Sequence, residues 1–191
     1  MLLEPGHYQN IFVIMGKAAL YLAACCLAAW LAGKIWDKFV GKIAARTANE
    51  LDSRLVAVSH RPLVLLVFLV AIKFSLKNLS LEPSPQGIAL FNFLDNLLYA
   101  LVIIVLAFWI DSAFQTAMEW YSAEYAQKNQ SSLEQFLPLV RQVGRILIYF
   151  LALTFILEHF GKNITGLIAT AGVASLAIAL AAQETLSNMF A

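Results

Sequence analysis

Five runs of mainly apolar residues, over 11–35, 62–81, 88–114, 139–160 and 164–182, dominate the sequence. A helix needs about 20 such residues to cross a hydrocarbon core of about 30 Å, so each run predicts one crossing. The expected fold is therefore all-α, a polytopic membrane protein with five transmembrane helices. Of the 191 residues, 61% are hydrophobic and only 13% charged, whereas a soluble domain carries about a quarter charged residues. Too little polar surface is available to coat a soluble globule, which argues against a cytosolic enzyme. A net charge of +1 offers no concentrated basic excess for nucleic acid.

The two cysteines, Cys25 and Cys26, are adjacent within the first run, a spacing that suits neither a disulfide framework nor an ordinary zinc site. They read as small packing residues. Residues 1–16 hold no Lys or Arg, and a secretory signal needs a basic start. The first run is thus expected to remain as a membrane helix.

Charge position predicts orientation. Lys34, Lys38, Lys42, Arg46, Arg54, Arg61, Lys128, Arg141 and Arg145 fall on one side of the crossings, and Lys17, Lys73, Lys77 and Lys162 on or near the other. The side richer in Lys and Arg is the cytoplasmic one. That rule puts the amino terminus outside, the 37–61 and 115–138 connections in the cytoplasm, and the carboxyl terminus in the cytoplasm of an inner (plasma) membrane protein.

The breaker-rich stretch Glu82-Pro83-Ser84-Pro85-Gln86-Gly87 predicts a tight turn and a helical hairpin. Residues 37–61 alternate apolar and charged positions, as helix ends in the headgroups do. Trp120, Tyr121 and Tyr125 suit a membrane interface, and Pro138 is expected at the start of the fourth helix.

Ionisable groups within a span are expensive and need partners. Lys73 and Asp95 lie at matching depths, roughly 10 to 12 Å from the hairpin turn at a rise of about 1.5 Å per residue. They are expected to pair across the hairpin, with Lys77 a turn nearer the surface. Asp111 and the Glu158-His159 pair are expected near segment ends, where water or headgroups are in reach. Arg141 and Arg145 share one helix face, an anchor on the cytoplasmic side able to meet lipid phosphates or whatever domain follows. His7, His60 and His159 are scattered, and no HExxH, GxSxG or phosphate-loop pattern occurs. No catalytic residue, cofactor or metal ligand is therefore implied.

The fifth run is dominated by Ala, Gly, Ser and Thr, and no charge occurs from Ile164 to Gln183. Small side chains give little contact with lipid but let helix backbones approach closely. At 100° per residue, Ala169, Gly172, Leu176, Leu180 and Gln183 fall on one narrow stripe. Ser175, Ala179 and Ala182 flank it on one side, Val173 and Ala177 on the other. Identical helices ringed about an axis would touch through such flanks and turn the leucines inward, where stacked apolar rings stop ions by dewetting. A non-conducting scaffold or signalling module, whose small-residue helix merely dimerises, remains the alternative.

The stretch Gly172-Val173-Ala174-Ser175-Leu176-Ala177-Ile178-Ala179-Leu180-Ala181-Ala182-Gln183-Glu184-Thr185-Leu186-Ser187-Asn188 resembles the pore-lining helix of the MscS family, the small-conductance mechanosensitive channels. The resemblance implies a homoheptamer that opens under membrane tension, passes ions and small osmolytes on osmotic downshock, and has lipids as its other partners. It also implies that residues 88–191 form the three-helix channel core and residues 1–87 two peripheral helices. Leu176 and Leu180 match the hydrophobic gate, and Ala169, Gly172 and Gln183 line the pore. The Gly172, Ser175 and Ala179 side would pack on the neighbour's Ala169, Val173 and Ala177 side.

The family prototype has glycine where Ser175, Ala179 and Glu184 stand, and alanine where Val173 stands. Larger flanks should hold the helices slightly farther apart. The resemblance implies a helix break just after Gln183, which Glu184, in place of glycine, disfavours. A ring of Glu184 at the cytoplasmic mouth would favour cations. In the family an amphipathic helix and a large cytoplasmic domain follow, so the chain is expected to be the membrane part of a longer channel.

Overall fold

In the computed structural model the described residues are 5–36, 38, 50–78, 85–126 and 133–190, with side chains described over 16–36, 38, 51–77, 88–124, 137–183 and at 187. They form α1 (Pro5–Ile35), α2 (Glu50–Asn78), α3 (Pro85–Tyr121), α4 (Leu133–His159) and α5 (Thr165–Phe190), with a π-helical turn, Ser122–Ala126, continuing α3. No strand occurs among the described residues. Each of the five helices contains a stretch long and apolar enough to cross a membrane. The fold is all-α and multi-pass.

Two helices begin well before the prolines expected to mark their starts. α2 opens at Glu50 and carries Pro62 internally, and α4 opens at Leu133 with Pro138 inside it. A proline in a helix interior removes one backbone bond and costs about 3 kcal/mol, so something must hold the preceding turns. Before Pro62 that role falls to bonds from neighbouring helices: Trp36 Nε1 donates to the Val56 carbonyl at 3.3 Å, and Trp109 Nε1 to Ser59 Oγ at 2.8 Å. Pro138 follows only five residues of α4, and the donors of the first four have no intrahelical partner to lose. Much of the expected 37–61 connection is thus helix α2, and residues 39–49, including Lys42 and Arg46, lie outside the described residues. Pro85, Gln86 and Gly87 belong to α3 rather than to the turn before it, whereas Glu82 to Ser84 lie outside the described residues, as do Lys128 and the side chain of Tyr125.

The chain divides into two compact units, Met1–Ala152 and Leu153–Ala191. In the first, α1 packs along α2 and α2 along α3. Cys25, Ala29, Leu66, Leu98 and Ala107 form its small buried core. Such a core, with large apolar side chains outside it, is what a bundle dissolved in lipid requires, because the exterior there is hydrocarbon. Cys25 is only 2% exposed, and its Sγ lies 3.1 Å from Ser75 Oγ. Ser75 already donates to the Ala71 carbonyl at 2.8 Å, so the thiol is the donor in the bond joining α1 to α2.

The second unit holds the end of α4, a short turn and α5. Gly161, at φ 70°, occupies the left-handed position that favours glycine. Its N–H donates to the Glu158 carbonyl at 2.9 Å and that of Lys162 to the Leu157 carbonyl at 3.0 Å, the paired bonds that close a helix C-terminus. Asn163 Oδ1 then accepts from the Thr165 N–H at 2.9 Å, supplying one of the first-turn donors of α5 with a partner.

Candidate functional site

Two regions carry the residues singled out in the sequence: the polar joints between the helices of the first unit, and helix α5. At the hairpin of α2 and α3 the structure brings Lys73 and Asp95 together, with Nζ 2.9 Å from Oδ1. The same ammonium donates to the Asp95 carbonyl at 3.4 Å and lies 5.4 Å from the Tyr99 ring centroid. Both side chains are about one-third exposed, 33% and 35%. An exposed pair in water contributes about 0.2–1 kcal/mol. In lipid the alternative is an unpaired charge, which costs about 2.5–3.5 kcal/mol at mid-helix on insertion scales, so the pairing matters more there.

Asp111, expected near a segment end, is covered by neighbouring side chains. It lies within α3 and is only 8% exposed. Three donors converge on its carboxylate. Arg145 Nε is 3.3 Å from Oδ1, the Tyr149 hydroxyl 3.3 Å from Oδ2, and Gln115 Nε2 3.2 Å from Oδ1. Arg145 and Tyr149 are one turn apart on α4, and Gln115 is one turn along α3, the spacing that puts side chains on one face. Tyr149 also sets its ring edge-on to Phe108, with centroids 5.8 Å apart. Hydropathy alone does not reveal this cluster; the matching four-residue spacings on the two helices are its sequence signal.

Arg145, expected to face lipid or a following domain, thus commits its Nε to Asp111. Arg141, one turn before it, keeps a buried Nε with no hydrogen-bond partner. Both arginines, with Gln115, Gln142 and Ile146, line a cavity of about 540 Å³.

On α5 the stripe and most of its flanks are exposed in a single copy: Ala169, Gly172, Val173, Ser175, Ala177, Ala179 and Gln183, with Ala182 half-buried and Leu176 and Leu180 each at 63%. The helix runs without interruption through Gln183 and Glu184 to Phe190. The break that the family resemblance implies after Gln183 is absent, as befits a position where Glu, a good helix former, replaces glycine. The side chain of Glu184 lies outside the described residues. Within the span the two hydroxyls bond their own helix, Thr170 Oγ1 to the Leu167 carbonyl at 2.9 Å and Ser175 Oγ to the Ala171 carbonyl at 2.8 Å.

Residues 143–183, which run from α4 through most of α5, match the family model described as transmembrane helices 2/3 of mechanosensitive ion channels. The large-conductance mechanosensitive channel MscMJLR of Methanocaldococcus jannaschii is 26% identical over 183 residues, covering 95% of this chain and 46% of the relative. The chain is similar to mechanosensitive channels. The small-conductance channel MscMJ of the same organism is 29% identical over 83% of the chain and 45% of its own length. A small-conductance mechanosensitive channel of Caldanaerobacter subterraneus subsp. tengcongensis is 34% identical over 49% of the chain and 34% of that protein. The chain spans about half the length of the first two of these relatives. No solved structure matches it significantly. In that family-model match, α4 and α5 correspond to transmembrane helices 2 and 3.

Proposed function

We propose that this chain is the membrane domain of a tension-gated ion channel that releases ions and small osmolytes on osmotic downshock. The observation that carries the reading is α5: a charge-free helix of small residues whose two stripe leucines, Leu176 and Leu180, stay 63% exposed in one copy. In a ring of copies, seven by family resemblance, those leucines form two stacked apolar constrictions that dewet when closed. Ala169, Gly172 and Gln183 line the same path. Gly172, Ser175 and Ala179 of one copy pack on Ala169, Val173 and Ala177 of the next, and Glu184 sits at the cytoplasmic mouth, favouring cations.

Tension acts only through a difference between states, here the larger in-plane area of the open ring, as a ligand acts only through differential affinity. On this reading residues 88–191 are the channel core and residues 1–87 its peripheral helices. The excess of Lys and Arg on one side supports an inner-membrane orientation with the amino terminus outside and the carboxyl terminus in the cytoplasm. Arg141 and Arg145 lie at that cytoplasmic face, where headgroup phosphates or a following domain are in reach.

Native mass spectrometry of the purified protein tests the assembly. Seven subunits are expected; a dimer would favour a non-conducting scaffold and overturn the pore assignment.

A further inference from the structure

Trp109 and Asp111 stand two residues apart on α3, which at 100° per residue sets them on nearly opposite faces of the helix. Trp109 reaches back to α2, donating to Ser59 Oγ at 2.8 Å. Asp111 reaches forward to α4, accepting from Arg145 Nε and the Tyr149 hydroxyl, each at 3.3 Å. A line of polar bonds thus crosses three helices at one depth, from Ser59 through Trp109 and Asp111 to Arg145 and Tyr149.

The interfaces it joins differ in kind. α1 and α2, and α2 and α3, run side by side with close backbones. Each of those pairs is also pinned at two separate levels, by Cys25 with Ser75 and Trp36 with Val56 in one case, and by Lys73 with Asp95 and Trp109 with Ser59 in the other. α3 and α4 meet instead through side chains, among them Arg145 and Tyr149, which both reach the Asp111 carboxylate. Helices α1 to α3 therefore form one braced panel, and the buried Asp111 carboxylate ties α4 to it.

We infer that Asp111 is a coupling point through which force gathered by the panel of α1, α2 and α3 reaches α4. The inference rests on the tension-gated reading and adds to it a role for the peripheral helices, as collecting area. It is a positioning role, since Asp111 touches no permeating ion in it. With the carboxylate removed, the panel yields to tension without carrying α4 along, and opening requires more tension.

Two measurements test this. First, spin labels at Ile104→Cys on α3 and Ile146→Cys on α4, in the chain carrying Cys25→Ser, which keeps a donor for Ser75, and Cys26→Ala, report the separation of the two helices in lipid bilayers. Asp111→Asn and Tyr149→Phe should broaden that distance distribution, and the swap of Asp111→Arg with Arg145→Asp should narrow it again. Tyr149→Phe changes one hydroxyl only and keeps the test open if Asp111→Asn does not fold. Second, patch recordings of the full protein should show both variants shifted to higher opening tension with unchanged single-channel conductance, and Trp109→Phe shifted the same way.

Unchanged distances would overturn the coupling role. Broadened distances with an unchanged or lowered opening tension would show that Asp111 joins the helices but carries no opening force, which also overturns it. Wild-type patches that never open before lysis would overturn the channel reading, and the force-carrying role with it, while the distances alone still decide the joint.

Discussion

Gly144 of α4 faces the ring of Phe114 on α3 so closely that a Cβ at position 144 would overlap the ring. The missing side chain leaves room for the Phe114 ring against the α4 backbone near the Asp111 cluster. Small residues serve this purpose between membrane helices, where packing must replace the hydrophobic driving force available in water.

Gly144→Ala should therefore destabilise the joint by about 1–3 kcal/mol, the usual cost of overpacking. Thermal unfolding in detergent would report the loss, and Phe114→Leu in the same chain should recover part of it. An unaltered midpoint in the single variant would mean that the ring turns aside freely.

Lys73→Asp and Asp95→Lys each put two like charges where an ion pair now stands at 2.9 Å. Since an unpaired charge in a span costs about 2.5–3.5 kcal/mol, each single variant should lose folded, membrane-inserted protein. The double variant should regain most of it, read as the yield of monodisperse material. Equal losses in all three would argue that the two residues act separately.

Leu176→Ser or Leu180→Ser should wet the proposed constriction and lower the tension at which the full protein opens. Patch recording gives the threshold directly. Thresholds like the wild type's in both variants would remove the gate from this stripe.

The turn between α4 and α5 depends on Gly161. A side chain in the left-handed conformation costs about 1–2 kcal/mol, so Gly161→Ala should lower stability by that amount. Asn163→Ala, which removes the oxygen held by the Thr165 N–H, should cost about 1 kcal/mol. Both are measurable by thermal unfolding, and a Gly161→Asn variant should suffer less than Gly161→Ala because asparagine tolerates this conformation better.

The sequence was most legible where a single helix carried the signal. Run length marks the five crossings, and counting residues from one turn brings Lys73 opposite Asp95, because both distances are measured along regular helices. Helix starts were harder to read. Pro62 and Pro138 look like boundaries to local propensity, yet bonds such as that from Trp109 to Ser59 hold the turns before Pro62 helical. The burial of Asp111 was not legible for a related reason. Its partners, Arg145 and Tyr149, lie 34 and 38 residues away, so no local window contains the bonds that let the carboxylate be buried.

Thr170 and Ser175 turn their hydroxyls onto carbonyls of their own helix, and from 166 to 182 no other side chain on α5 is polar. A stretch that looks mildly polar in composition therefore presents almost no side-chain donor to whatever lies beside it. Contact with such a surface rests on shape alone. A neighbour could slide or tilt along it with no hydrogen bond to break, so the helix has the character of a low-friction bearing, suited to a structure that must shift and return many times.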